Sequence, residues 1–227
     1  MFHWFEQRPF FFAVLVFAFI SFAGIIEIIP DFAKQARPTV GTKPYSVLEL
    51  AGRQVYIKDS CNACHSQLIR PFKSETDRYG MYSLSGEYAY DRPFLWGSKR
   101  TGPDLMRVGN YRTTDWHENH MMAPAEIVPG TVMPAYPHQF ENIADLDTAY
   151  AEAYTVKTVF ATPYDQDLNG DGKIDVELGD HASAIAKAKA DAVLIAADMK
   201  NKAVKDAVAN GQVPEIVALI AYLNSLK

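Results

Sequence analysis

Cysteine is scarce in this chain: two occur in 227 residues, three positions apart. No disulfide framework can be built from them, because cross-linked scaffolds need several pairs. Basic residues are also outnumbered, with 22 Lys and Arg against 27 Asp and Glu and a formal net charge of −5. That balance argues against nucleic acid, which wants a basic face. Arginine is absent from residues 141–198, where 12 acidic residues stand against 4 Lys. The rest of the chain carries 15 acidic and 18 basic residues, so the two parts face different surroundings. Low hydrophobicity is not among the shortages. At 48% hydrophobic and 22% charged the chain is globular, and its length suits one large domain or one domain plus an appendage.

One apolar run stands out. Phe10 to Ile29 reads FFFAVLVFAFISFAGIIEII, with Glu27 its single charge. As a helix it spans roughly 30 Å, enough to cross a bilayer core. Trp4 and Phe5 suit the interface on one side, and Pro30 with Asp31 is expected to stop the helix on the other. A cleaved signal peptide is the competing reading, because Ser21-Phe22-Ala23 offers small residues after an apolar core. Against it, the run continues through Ile25, Ile26, Ile28 and Ile29, and only Arg8 precedes it as a positive charge. Arg8 on one side and Lys34 and Arg37 on the other decide orientation poorly. Glu27 reads either as a functional intramembrane carboxylate or as a solvated interfacial one.

The two cysteines end in a motif: Cys61-Asn62-Ala63-Cys64-His65 is C-x-x-C-H. Two thiols at this spacing reach the two vinyl groups of a haem, and the adjacent His then meets the iron. A zinc ribbon would need a second Cys or His pair, and a thioredoxin-like redox pair would need a βαβ context that is not there. Haem attachment of this kind takes place outside the cytoplasm, so residues 31–227 are expected in the periplasm. The sixth iron ligand must come from a distant loop, and Met133 is the best candidate. It sits in Pro129-Gly130-Thr131-Val132-Met133-Pro134-Ala135-Tyr136-Pro137, where the Pro-rich backbone aims the thioether at little entropic cost. His/Met ligation raises the potential, as suits a carrier near the oxidising end of a chain. His138 is an alternative, as are Met81, Met106, Met121, Met122 and Met199, while Met1 lies before the anchor. His117 and His120, at i and i+3, read as surface decoration or a propionate contact rather than a metal pair.

Residues 1–37 therefore form an anchor, 38–46 a Pro/Gly-rich linker, and the remainder an all-α globule. Val47, Leu48, Ala51, Val55 and Tyr56 give one helical stripe, with Gly52 permitting close helix contact. Ile216, Leu219, Ile220, Tyr222 and Leu223 give another after Pro214, placed at the first helical position. In class I cytochromes c the first and last helices cross in this way. Residues 47–141 and 212–227 are thus expected to form the cytochrome c domain, interrupted by an acidic helical insertion at 142–211. The insertion reads as a helix near 145–160, a polar loop, and a second helix near 182–209. Its loop places Asp167, Asn169, Asp171 and Asp175 as an EF-hand would, but Leu178 stands where a bidentate Glu belongs. Weak calcium binding and a plain Asx-rich turn both remain open, the turn being favoured. Residues 66–112, rich in Arg and aromatics with little periodicity, are expected to meet a partner, some Arg serving haem propionates instead.

With these residues in hand, the chain resembles the mono-haem subunit II (subunit O) of cbb₃-type cytochrome c oxidases, the C-family haem–copper oxidases. The resemblance rests on C-N-A-C-H-S-Q-L-I-R-P-F, R-Y-G-M-Y-S-L-S-G-E, P-F-L-W-G-S-K-R-T-G-P-D-L and V-M-P-A-Y-P, with F-A-G-I-I-E-I-I-P in the anchor. It implies a periplasmic haem domain on a single-pass inner-membrane anchor in lipid. Its partners would be a haem–copper catalytic subunit and a di-haem cytochrome c subunit, with a soluble cytochrome c as a further donor. By the same resemblance Cys61 and Cys64 bind haem covalently, with His65 and Met133 as axial ligands, and oxygen is reduced in the catalytic subunit. The mono-haem subunit of nitric oxide reductase shares the layout but not the W-G-S-K-R-T-G-P-D-L segment. A free membrane-tethered shuttle and a haem-based sensor are the other readings, and a fixed Met ligand argues against the sensor.

Overall fold

A computed structural model describes residues 2–32 and 37–227. Met1 and Lys34, weighed above, lie outside the described residues. Every named regular element among them is helical. A short helix α1 (Phe2–Glu6) precedes α2 (Pro9–Phe32), whose stretch Pro9–Pro30 has a mean hydropathy of 2.6 and is not buried against the globule. It is the one described helix long and apolar enough to cross a membrane. Pro30 was expected to end it, yet the helix runs on to Phe32. A proline this close to the C-terminus costs one backbone bond to the preceding turn and leaves little helix beyond it to disrupt.

Helix α3 (Val47–Lys58) starts on a capping box. Ser46 Oγ accepts from Glu49 N at 3.3 Å, and the Glu49 carboxylate accepts from Ser46 N at 2.7 Å. Its buried stripe meets α10 (Glu215–Ser225), where Ile216, Val217, Ala218, Leu219, Ile220 and Tyr222 are all inaccessible to solvent. A helix apolar all round needs neighbours on every side. It has α3 on one side, with α5 (Thr114–Met122) and α8 (His181–Ala197) on others. Gly52 is the contact point: a Cβ there would lie 1.9 Å from Ala218 O, so the two backbones touch. Tyr56 and Tyr45 pack edge-on against Tyr222 at 5.5 and 5.6 Å, and the Tyr222 hydroxyl donates to Gln67 Oε1 at 3.0 Å. Pro214 proves to be the cap of α10 rather than its first residue. Lys58 pairs with Glu215, and Glu215 N donates to Asn142 O at 2.9 Å, joining the two helices where α10 begins.

The acidic segment folds into the same core. Helix α7 (Leu146–Phe160) buries Ala149, Ala153 and Val156, and α8 buries Ala184, Ala188, Ala192 and Ala196, one small residue per turn. Both stripes belong to the cluster that holds Val47, Cys61 and Ile216. The helix expected over 182–209 is two helices, α8 and α9 (Lys202–Ala209). Glu118 on α5 accepts from Lys200 N at 2.7 Å and Asn201 N at 2.6 Å, and the Asn201 side chain caps α9 through Val204 N at 3.2 Å. Those bonds satisfy the backbone donors that a break exposes.

Residues 66–112 contain α4 (Lys73–Tyr79) and short 3₁₀ turns. Several of their arginines turn inward. Arg100 donates to Ser66 Oγ at 2.6 Å, Leu68 O at 2.7 Å and Glu75 at 2.8 Å. Arg107 grips Glu87 with two bonds of 2.6 and 2.8 Å. These two side chains hold the segment to itself, while Arg70 and Arg78 stay exposed. Phe94 and Trp96 stack at 4.6 Å and are 50% and 40% exposed. The linker docks here too, with Thr39 N donating to Gly86 O at 3.1 Å. A small helix α6 (Pro124–Ile127) links α5 to the Met133 loop.

Candidate functional site

At the end of α3 the chain turns through Ser60, a left-handed residue at φ 57°, into a 3₁₀ turn over Cys61–Ala63. Cys64 N and His65 N both donate to Cys61 O, at 3.2 and 2.9 Å, which curls the motif tightly. Cys61 is buried, Cys64 is exposed, and neither is in a disulfide. Burial pushes the Cys61 thiol up to about 12, so its sulfur stays neutral at physiological pH.

His65 is held by a second strand of chain. Gly102 N donates to Cys64 O at 2.9 Å, and Leu105 N to Ser66 O at 2.9 Å. This brings Pro103 O to 2.8 Å from His65 Nδ1. A carbonyl only accepts, so Nδ1 carries the proton and Nε2 keeps the lone pair that a metal needs. Burial lowers the pKa of His65, keeping the ring neutral. Gly102 packs against the ring: a Cβ there would lie 2.3 Å from His65 Cε1. Asp104 fixes the strand by accepting from Ser66 Oγ at 2.6 Å, Leu68 N at 2.8 Å and Met106 N at 2.8 Å.

The Met133 loop is tied at both ends. Tyr136 N donates to Met121 O on α5 at 2.9 Å. His138 Nε2 lies 3.1 Å from the Asp59 carboxylate, and Gln139 donates to the same oxygen at 2.7 Å. Met133 is partly buried against the cluster containing Cys61. The other methionines are placed differently: Met81 and Met122 are exposed, and Met106 sits in a separate cluster with Ile69 and Tyr88. Met199 and Met121 are packed in the core. His138 is occupied by Asp59.

Of the two readings of His117 and His120, surface decoration does not hold and the propionate contact stays open. Neither decorates the surface: both are buried. The local sequence Trp116-His117-Glu118-Asn119-His120 is polar and hides this. What turns these residues inward is the fit of α5 against α10, where Asn224 donates to Thr114 Oγ1 at 3.3 Å.

The loop from Asp167 to Leu178 satisfies its own backbone. Asp167 accepts from Gly170 N at 2.6 Å and Gly172 N at 2.7 Å, with longer bonds from Asn169 and Asp171. Asp175 accepts from Leu168 N at 2.8 Å. Helix α7 ends at Phe160, well before Asp167, so no helix enters the loop as in an EF-hand. Among the described residues no group of three or more His, Cys, Asp or Glu is arranged to hold a metal ion. These carboxylate-to-backbone bonds are of the kind an Asx-rich turn makes.

A family model described as cytochrome c oxidase, mono-haem subunit (FixO), matches residues 2–227. The chain belongs to that family. No curated protein matches it in a direct comparison. Membership makes this FixO-family chain a mono-haem subunit of an electron-transporting oxidase complex, and its all-helical globule behind one apolar N-terminal helix agrees with that. The residues present fit a haem. His65 offers Nε2 with its tautomer set, two unpaired thiols precede it at the attachment spacing, and nearby imidazoles on α5 have nitrogens that no protein group satisfies.

Proposed function

We propose that this subunit relays electrons through one haem c, attached at Cys61 and Cys64, to the haem–copper catalytic subunit of a cbb₃-type oxidase. The observation that carries the reading is the His65–Pro103 bond within a C-x-x-C-H turn, in a chain matched end to end by the mono-haem family. His65 Nε2 and the Met133 thioether would hold the haem iron. Bound haem supplies one-electron iron chemistry; the protein's part is to hold and orient it. Pro103 O fixes the His65 ring, and Gly102, lacking a Cβ, leaves room for it. Asp59, through His138 and Gln139, fixes the loop from which Met133 reaches in. The haem domain lies in the periplasm, with α2 crossing the inner membrane. The donor is the di-haem subunit or a soluble cytochrome c. The exposed Phe94–Trp96 stack supports docking of a protein partner on that side, since aromatic anchors are enriched in such contacts.

Two experiments test this. Affinity purification through this chain from native membranes is expected to bring down copper and several haems; non-haem iron without copper would make it a nitric oxide reductase subunit. Met133→Ala is expected to keep haem attached while the weak thioether-to-iron absorption near the red end disappears and the potential falls. Survival of that band in Met133→Ala, and its loss in Met121→Ala, would move the ligand to α5.

A further inference from the structure

Helix α5 carries two imidazoles that the protein leaves without hydrogen bonds. Both ring nitrogens of His117 and Nδ1 of His120 are buried with no protein partner, and the two residues are 2% and 8% exposed. Buried polar atoms are nearly always paired, so three unpaired nitrogens within one turn of helix call for a polar group from outside the chain.

The surroundings say what charge that group bears. Trp116 stacks on His120 at 4.4 Å and meets His117 edge-on at 5.4 Å. The Arg112 guanidinium lies 4.2 Å from the Trp116 ring centre and also covers Tyr111. No carboxylate among the described residues forms an ion pair with Arg112. The two carboxylates of α5 are engaged elsewhere, Asp115 with Lys200 and Asn119, and Glu118 with the backbone before α9. The neighbouring part of α10 presents only the amide of Asn224, to Thr114. Burial, with His65 close by, lowers the pKa of His120, so the cluster lies near the C-x-x-C-H turn. The cluster therefore joins two buried imidazoles without protein partners to an exposed guanidinium at its edge.

We infer that His117 and His120, with Arg112 beside them, bind the carboxylates of the haem propionates. This rests on the haem reading above. The macrocycle is apolar apart from its two propionates, and these are the acceptors it brings into a buried site. Burial drives the pKa of His117 down to about 4, so it is neutral at pH 7; a neutral imidazole still donates one N–H to a carboxylate oxygen. Such donors offset propionate charge that would otherwise stabilise oxidised iron, and so they hold the potential up.

The test uses the full-length, haem-loaded protein with His117→Leu, His120→Leu and the matching Gln variants. Haem stain, midpoint potential at fixed pH, and redox infrared difference spectra with ¹³C-labelled haem carboxyls are read together. The stain is expected to persist. The potential is expected to fall in the Leu variants and to recover with Gln, which keeps an N–H donor, and the labelled carboxylate bands are expected to move with it. Wild-type potential and unmoved bands in both Leu variants would overturn the inference. Should the Leu variants yield no stained protein, the reduced wild type decides by proton NMR. Contacts from both imidazoles to the propionate methylenes support the site, and their absence sinks it. An unstained wild-type band would instead defeat the haem reading itself.

Discussion

Replacing Cys61 and Cys64 together with Ala is expected to leave no haem-stained band for this chain on a denaturing gel, and little chain of any kind in the membrane. The first effect follows from chemistry. Only two cysteines exist, so no other thiol can form a thioether. The second follows from packing. Cys61 lies inside the core cluster while Cys64 faces outward, and α5 holds three buried imidazole nitrogens that no protein group satisfies. A ligand that binds only the folded state stabilises it by mass action, and covalent attachment makes its effective concentration very high. Without attachment, those orphaned nitrogens cost about 1–3 kcal/mol each, comparable in sum to the whole stability of many domains. The single variants are expected to differ. Cys64→Ala removes an exposed thiol and leaves one thioether possible, whereas Cys61→Ala also opens a small hole beside α3. A stained band of the right mass in the double variant would refute covalent attachment at this motif.

Features that depend on near neighbours were legible in the sequence. The stripes of α3 and α10 repeat every three to four residues, so the sequence itself marks their buried faces. The C-x-x-C-H turn is legible for the same reason, because five consecutive residues carry its chemistry. Distant partners account for what was missed. The break between α8 and α9 depends on Glu118, some 80 residues earlier, whose carboxylate takes up the freed N–H groups. Nothing in the stretch 182–209 announces that carboxylate.

The arginines of residues 66–112 teach the same lesson with charge. Composition makes them look like an interface, but it cannot say that Glu75 waits for Arg100 or Glu87 for Arg107. Hydrogen bonding from Arg100, with further help from Arg70, holds the Glu75 carboxyl down at about 2. That pair is therefore ionised throughout the neutral range and belongs to the fold. His117 is the opposite case. Its neighbours in sequence are polar and its neighbours in space are buried, so its polarity left a surface reading standing beside a propionate contact. A buried polar residue read as a surface one is a typical failure of periodicity, and such residues are often functional. The Met133 loop lies between these extremes. Its rigidity is written in its prolines, but the ties to Asp59 and Met121 that aim it come from two other elements.

Gly52→Ala is expected to destabilise the haem domain by about 2 kcal/mol or more, lowering the melting temperature by roughly 4–8 °C for a chain of this size. Two effects oppose each other. In a helix interior Ala is better than Gly by about 1 kcal/mol, through propensity alone. Against this, the new Cβ would lie 1.9 Å from Ala218 O and 2.9 Å from Tyr222 Cβ. The first obstacle is backbone, in a helix buried on every side, and it cannot swing away as a side chain tip would. Separating the helices by even an ångström loosens the contacts of Tyr56, Tyr222 and Val55 across the crossing, so overpacking outweighs propensity. Gly24→Ala on α2 is the control, because a Cβ there meets nothing within 4 Å. That variant is expected to melt like the wild type. Following far-UV circular dichroism on heating in detergent separates the two. Gly52→Ala melting at or above the wild-type temperature would mean that α3 and α10 do not touch at Gly52, and the crossing drawn here would have to be moved along both helices.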